Sequence, residues 1–254
     1  MKRINFILAI CFAALLASCS KDNTFVINGS FDIPTSFQYG DTIIERGPIE
    51  GSVYLYDVNE VLIDSVAIAD EQFILTGICE PTEPYFAFLV SEFGAGMVVI
   101  EPGTIDVVIN ETLTATGTET NDAISDVNAL LENISAEMYA EMMPLLSSGS
   151  EADQPEDSEA LIMPIVNRYM EMANQKVDSV YQQNTDNLLG VYLANMQTSD
   201  QETADGLMEA LEGYSEYVRN SELIQMRLQY LQQMEALSSF YGSEDDESDE
   251  AGAE

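Results

Sequence analysis

The chain contains no histidine and no tryptophan, and its three cysteines, Cys11, Cys19 and Cys79, form no closely spaced pair. Without imidazole there is no Ser-His or Cys-His nucleophile pair, no histidine general base, and no His-ligated zinc or haem. Positive charge is also scarce. Across 254 residues, 8 Lys plus Arg stand against 45 Asp plus Glu, a formal net charge of −37. A protein that grips DNA or RNA neutralises phosphates with a basic groove, and eight scattered cations cannot build one, so nucleic acid is excluded as a partner. No EF-hand loop is present either, because Asp186, Asn187 and Gly190 supply too few oxygens and lead straight into an apolar stretch. Met138, Met142, Met143, Met170, Met172, Met226 and Met234 fall at or beside helical apolar stripes, which reads as packing rather than a soft-metal site. No cofactor and no metal are expected.

What is present begins with an address. Lys2 and Arg3 precede an apolar run from Phe6 to Leu16 that is too short for a stable membrane span and reads as a secretory signal. The run ends in Leu16, Ala17, Ser18 and Cys19, which resembles the bacterial lipobox, where the chain is cut before the cysteine and the thioether receives a diacylglycerol. On that reading residues 1–18 are the signal peptide, Cys19 is the lipidated first residue, and residues 19–24 are the tether. The alternative is a plain signal peptide cut nearby, with Cys19 an incidental thiol. Each buried acyl methylene contributes about 0.8 kcal/mol, so two or more chains anchor stably. Ser20 stands where an Asp signals inner-membrane retention in many Gram-negative bacteria, and the resemblance points to the outer membrane. Ser20 to Asn23 partly resembles the export tag of Bacteroidetes surface lipoproteins, leaving the periplasmic and cell-surface faces both open. With Cys11 removed and Cys19 acylated, Cys79 is the one remaining thiol, so no intrachain disulfide and no C-x-x-C motif can form. Its place beside Ile78 at the end of an apolar run predicts a buried, inert side chain.

The rest divides into two regions. Over residues 25–118, short β-rich runs alternate with Gly, Pro, Asn and Asp. Strands are expected at Phe25–Gly29, Val53–Tyr56, Leu62–Ala69, Gln72–Ile78, Tyr85–Ser91, Met97–Glu101, Ile105–Ile109 and Leu113–Gly117. Their spacing is that of an antiparallel β-sandwich or barrel-like domain, and the overall class is α+β. Ala69 and Asp70 read as the turn of a hairpin, and Glu101-Pro102-Gly103 as a tight turn into the next strand. Residues 119–241 change to a period near 3.6 and form a helical region. Asn121 is expected to cap a helix that Pro144 stops, and Pro164 to lie in the first turn of a second. Further helices are expected at Asn187–Met196, at Asp200–Glu212 with a Ser199/Glu202 capping box, and at Ser221–Phe240. The acidic stretch 147–158 reads as a flexible loop. The tail 242–254 is dominated by SEDDESDEAGAE, which cannot bury apolar surface and reads as disordered.

Phe25, Ile27 and Gly29 after the lipobox, then Val53, Tyr54 and Leu55, Asp64 with Ser65, Phe73 with Gly77, the Glu101-Pro102-Gly103 turn, and Thr116, Gly117 and Thr118 ahead of Asn121 and Asp122 occur in a characteristic order. Together they resemble the N-terminal domain of unknown function 4369 found in many Bacteroidetes lipoproteins. The resemblance implies a β domain followed by helices and, in that family, by a thioredoxin-like domain for thiol-disulfide exchange. Here the chain passes into its acidic tail where that domain would begin. The resemblance therefore implies the anchor and accessory module of a redox lipoprotein without the catalytic part.

Glu45, Glu50, Glu101 and Asp106 lie near expected strand ends or loops, but among 45 acids their nearness marks no acid–base pair. Tyr54 and Tyr56, with Tyr85 and Phe88, form either a sugar-binding platform or ordinary strand packing, the second being the expectation. Asp41-Thr42-Ile43, Asp64-Ser65-Val66 and Asp178-Ser179-Val180 resemble the O-glycosylation sequon of exported Bacteroidetes proteins, with Thr42, Ser65 and Ser179 as the acceptors. The expected function is that of a non-catalytic, lipid-anchored envelope protein acting as an accessory or interaction module, held to the membrane by its lipid and working with a protein partner. The alternatives are an accessory role in thiol-disulfide exchange beside a separate thioredoxin-like protein, and surface glycan binding.

Overall fold

Alternation of apolar and polar side chains decides where the strands form. In β1 (Thr24–Phe31), Phe25, Ile27 and Phe31 are buried while Asn28 faces solvent. A computed structural model describes residues 23–39, 42–79, 83–110, 112–147 and 158–241. The remaining strands are β2 (Ser36–Tyr39), β3 (Thr42–Glu45), β4 (Ser52–Asp57), β5 (Leu62–Ala67), β6 (Gln72–Ile78), β7 (Tyr85–Ser91), β8 (Gly94–Ile100), β9 (Gly103–Ile109) and β10 (Leu113–Thr116). They make two four-stranded sheets, ordered β10-β9-β1-β6 and β5-β4-β7-β8, and a separate β2-β3 hairpin. The sheets bury Phe25, Ile27, Leu55, Leu75, Leu89 and Ile105 between their inner faces.

The α+β class stands, with one refinement. β1 runs parallel to β9, from Phe25 opposite Gly103 to Phe31 opposite Ile109, while the other described strand pairs are antiparallel. The turn after Glu101 carries the chain from β8 in one sheet to β9 in the other, with Gly103 at φ +134° supplying a conformation that side chains rarely adopt.

The hairpin expected across Ala69 and Asp70 does not extend into a ladder. Ala69 and Gln72 exchange one pair of backbone bonds (2.9 and 3.1 Å), and then β5 stays with β4 while β6 crosses to β1. The reason lies in two reciprocal close approaches on the β1–β6 ladder. Gly29 faces Phe73 and Gly77 faces Phe25, and each ring lies across the opposite glycine. A Cβ on Gly29 would sit 1.9 Å from the Phe73 ring, and one on Gly77 would sit 2.5 Å from that of Phe25. The β2-β3 hairpin escaped the sequence reading because Thr42–Glu45 is exposed throughout and so carries no burial pattern. Arg46 fixes its base through the Pro34 carbonyl (3.2 Å), the Gly47 carbonyl (3.1 Å) and the Glu71 carboxylate (3.1 Å).

The helices are α1 (Glu119–Ser147), α2 (Ser158–Tyr181), α3 (Leu188–Gln197), α4 (Ala204–Ala210, continued by a 3₁₀ turn Leu211–Gly213), α5 (Glu216–Arg219) and α6 (Glu222–Tyr241). They cover the outer face of the β5-β4-β7-β8 sheet, where Val58, Phe86 and Val99 join a second core with Val127, Leu193 and Ile224. The order of layers is sheet, sheet, helices. Several expected boundaries are corrected. Pro144 lies inside α1, in its last turn, so the bond to Ala140 that it forfeits is followed by only three more helical residues. Pro164 lies inside α2, whose start at Ser158 means that only a bond to the opening turn is lost. Thr203, not Ser199, caps α4 by accepting from the Gly206 N–H (3.1 Å). The preceding loop turns on the Gln201 N–H donating to the Thr198 carbonyl (3.1 Å), and Arg227 holds it by donating to the Thr198 and Gln201 carbonyls. α5 was not anticipated; Ser215 caps it through the Val218 N–H (3.2 Å). Asn187, expected as the first residue of its helix, stands just before α3 and caps it by accepting from the Gly190 N–H (3.1 Å). Cys19, the signal segment, all but the ends of the 147–158 stretch and the acidic tail lie outside the described residues.

The joint between sandwich and helices is built from two side chains. The buried Glu101 carboxylate accepts from the Thr120 N–H (2.8 Å), the Thr120 hydroxyl (3.0 Å) and the Asn121 N–H (3.4 Å), so the strand end caps the helix. Asn121, expected to be that cap, sits in the first turn and turns toward β8 instead. Its Oδ1 accepts from the Val99 N–H (3.0 Å), and its Nδ2 donates to the Val99 carbonyl (2.8 Å) and to Thr118 Oγ1 (2.8 Å). One side chain thus completes the outer edge of β8.

Candidate functional site

Where the helical layer meets the start of β7, the surface opens into a cleft of about 480 Å³. Glu83 and Pro84 lead into β7 and form one wall with Tyr85 and Phe86. Leu188 opens α3, while Glu216 and Tyr217 come from α5, and Asn220 to Leu223 from the passage into α6. The short helices have local causes: Ser215 starts α5, and the Ser221 hydroxyl donates to the Val218 carbonyl (2.7 Å) at its exit. Asn59, in the β4–β5 turn, donates to Glu222 (2.7 Å) and ties the sandwich to the beginning of α6.

The electrostatics of the cleft follow from its lining. Burial, then the Glu83 and Asp186 carboxylates, push the Tyr217 hydroxyl above its ordinary pKa. Burial does the same for Tyr85, with Cys79 and Asp57 adding to it. Both phenols therefore stay protonated around neutrality and can donate hydrogen bonds, while Glu83, Glu216 and Glu222 offer acceptors and negative charge. Such a surface suits cationic or hydroxyl-bearing groups laid against tyrosine rings. Among the described residues, no group of three His, Cys, Asp or Glu side chains is arranged to hold a metal ion.

The residues singled out from sequence are dispersed. Glu101 caps α1, Asp106 accepts from Asn28 (3.1 Å) on the open face of β9, Glu45 ends the β2-β3 hairpin, and Glu50 is exposed ahead of β4. Cys79 is fully buried, and its thiol is pushed up in pKa by burial and by nearby Glu101. Tyr54 and Tyr56 do come together, their rings stacked with centroids 6.2 Å apart and planes at 30°. They lie on the helix-facing side of the sheet but beyond the helices, with Tyr54 39% exposed, so the rings reach solvent rather than packing as ordinary core. Tyr85 packs against the sandwich core, as expected, and also lines the cleft, while Phe88 packs against the helix-side core. Thr42 opens β3, Ser65 lies in β5 and Ser179 in the last turn of α2; all three are exposed. Met143, Met170 and Met234 correct the packing expectation, being 56%, 57% and 48% exposed.

Sequence reasoning missed Glu83, Glu216, Tyr217 and Glu222 as neighbours. They come from chain positions far apart, and no short-range spacing announces them. No helix among the described residues is long and apolar enough to cross a membrane. Neither a curated protein nor a solved structure matches the chain. Residues 25–124, which span the sandwich, the Glu101–Asn121 joint and the first turn of α1, match the family described as Domain of unknown function (DUF4369).

Proposed function

We propose that the chain is a non-catalytic, lipid-anchored protein of the bacterial outer membrane that recognises a protein partner through the cleft between its sandwich and its helices. The observation that carries the reading is the lipobox-like Leu16-Ala17-Ser18-Cys19 after a short apolar run. The cleft supports the interaction part, because tyrosine walls edged by carboxylates favour a cationic segment of a partner, and a net charge of −37 favours its approach. Work beside a separate thioredoxin-like protein is a narrower form of this reading; it draws on the domain resemblance, and the buried Cys79 gives it no thiol of its own to exchange.

The test begins with the anchor. Intact mass measurement should find the mature chain starting at acylated Cys19, and Cys19→Ser should release it from the membrane fraction. An unacylated wild type, or an unchanged distribution of Cys19→Ser, overturns the proposal. A photo-crosslinking residue at Tyr217 should then capture an envelope protein, and capture should fall with Glu216→Gln plus Glu222→Gln. Glycan binding is a second reading, favoured by the solvent-reaching Tyr54–Tyr56 stack. Retention on immobilised glycans that is lost in Tyr54→Ala would support it.

A further inference from the structure

The α1–α2 pair overhangs the rest of the protein. Among the residues whose exposure is described, none of α1 beyond Ile134 is buried, and none of α2 before Val177. At 1.5 Å per residue, the bare part of α1 extends about 20 Å. It is not a solvating surface. Tyr139, Met143 and Leu146 recur on α1 at i, i+4 and i+7, which sets them on one face, and Met163 and Met170 lie seven apart on α2. These five side chains are between 45% and 58% exposed.

Charge is withdrawn from the same place. In a chain of 45 acids, Met142–Leu146 and Ala160–Asn167 contain no charged residue at all. Glu141 and Arg168, which flank these stretches, neutralise each other in an ion pair that Tyr169 joins through its hydroxyl (3.1 Å to Glu141). The pattern is that of a covered face. The ten residues that join the helices, SGSEADQPED, hold four acids and no large apolar side chain to match it. The same acids oppose insertion of the apex into an anionic lipid surface.

We infer that this face docks with the same face of a second copy of the chain, two helical hairpins closing antiparallel into a four-helix bundle about a two-fold axis. Two bare helices are half of such a bundle, and an isologous interface needs only one surface that fits itself. The area is sufficient. Five large side chains at about half exposure offer on the order of 500 Å² per copy, roughly 1,000 Å² over the two copies, which is the lower bound for a specific interface. Since both copies are strongly acidic, the contact is apolar against a repulsive background, and added salt should tighten it.

The test uses the intact chain. Met143→Cys and Met163→Cys, oxidised in the native envelope, should give a disulfide-linked homodimer on a non-reducing gel, while Ile74→Cys, equally exposed but on the open sheet, should not. In density-matched detergent, sedimentation equilibrium should return twice the protomer mass, with dissociation weakening as salt is raised. Met143→Glu with Met163→Glu should loosen the dimer by about tenfold or more, and at dilutions where both proteins are monomeric their thermal midpoints should agree, since both sites already face solvent in the single copy. Several results overturn the inference: absence of the homodimer band, equal cross-linking from Ile74→Cys, cross-links only to a different protein, or a monomer that floats with lipid vesicles through this apex.

Discussion

Replacing Asn121 by Ala would expose the joint between the two layers. Val99 is fully buried, and both its N–H and its carbonyl point away from β7 into the Asn121 amide. The variant strands two main-chain groups and loses the contact to Thr118, each orphaned group costing about 1–3 kcal/mol. One consideration lowers the total. Asn121 and Val99 line a small cavity of about 110 Å³ that has room for water, and water entering the vacated space would partly restore the bonds. The expected loss is therefore about 2–4 kcal/mol, which for a protein of this size lowers the thermal midpoint by roughly 5–15 °C. Asn121→Asp should be no better, because a carboxylate cannot donate to the Val99 carbonyl and would lie near Glu101. Urea unfolding followed by circular dichroism measures the effect. A loss below about 1 kcal/mol for Asn121→Ala would refute the claim that this amide stands in for a neighbouring strand.

Three other perturbations follow from the same geometry. Glu101→Ala removes the acceptor for two N–H groups at the start of α1 and should cost about 1–2 kcal/mol by urea unfolding, in the range of lost helix caps. Gly29→Ala places a methyl group against the Phe73 ring and should cost roughly 1–3 kcal/mol through overpacking, with Gly77→Ala behaving alike against Phe25; thermal melts of both variants check this. Cys79 should resist maleimide labelling until the protein is unfolded. Because its folded pKa is raised, the neutral thiol's contribution is fully present below the unfolded pKa and is lost as pH rises through the folded value. Stability should therefore decline above about pH 8.5 by more in the wild type than in Cys79→Ala.

What could be read from the chain and what could not separate along physical lines. β6 and β7 occupy Gln72–Ile78 and Tyr85–Ser91 as expected, because β6 alternates into a core and β7 is apolar on both of its covered faces. The β2-β3 hairpin and α5 bury too little to leave a pattern. The path of β6 was misread because a turn motif reports local geometry, whereas the fit of Phe73 over Gly29 is a long-range event. The caps of α1 and α4 failed for a related reason: Asn121 has a better partner in β8, and Thr203, accepting from the Gly206 N–H, starts α4 after a loop that Arg227 ties down from a distant helix. The cleft was least legible, since residues 83–86, 188 and 216–223 become neighbours only after the helices fold back over β7.

β1 is the first strand among the described residues, yet it lies in the interior of its sheet, flanked by β6 on one side and β9 on the other. Its slot is complete only when synthesis has passed Ile109: β6 supplies one side by Ile78, and the other side stays open until β9 is made. The same arrangement governs how the finished protein resists tension. A pull arriving through Thr24 loads two ladders at once along their length, and they must slide together to yield, unlike a border strand that can be unzipped one rung at a time.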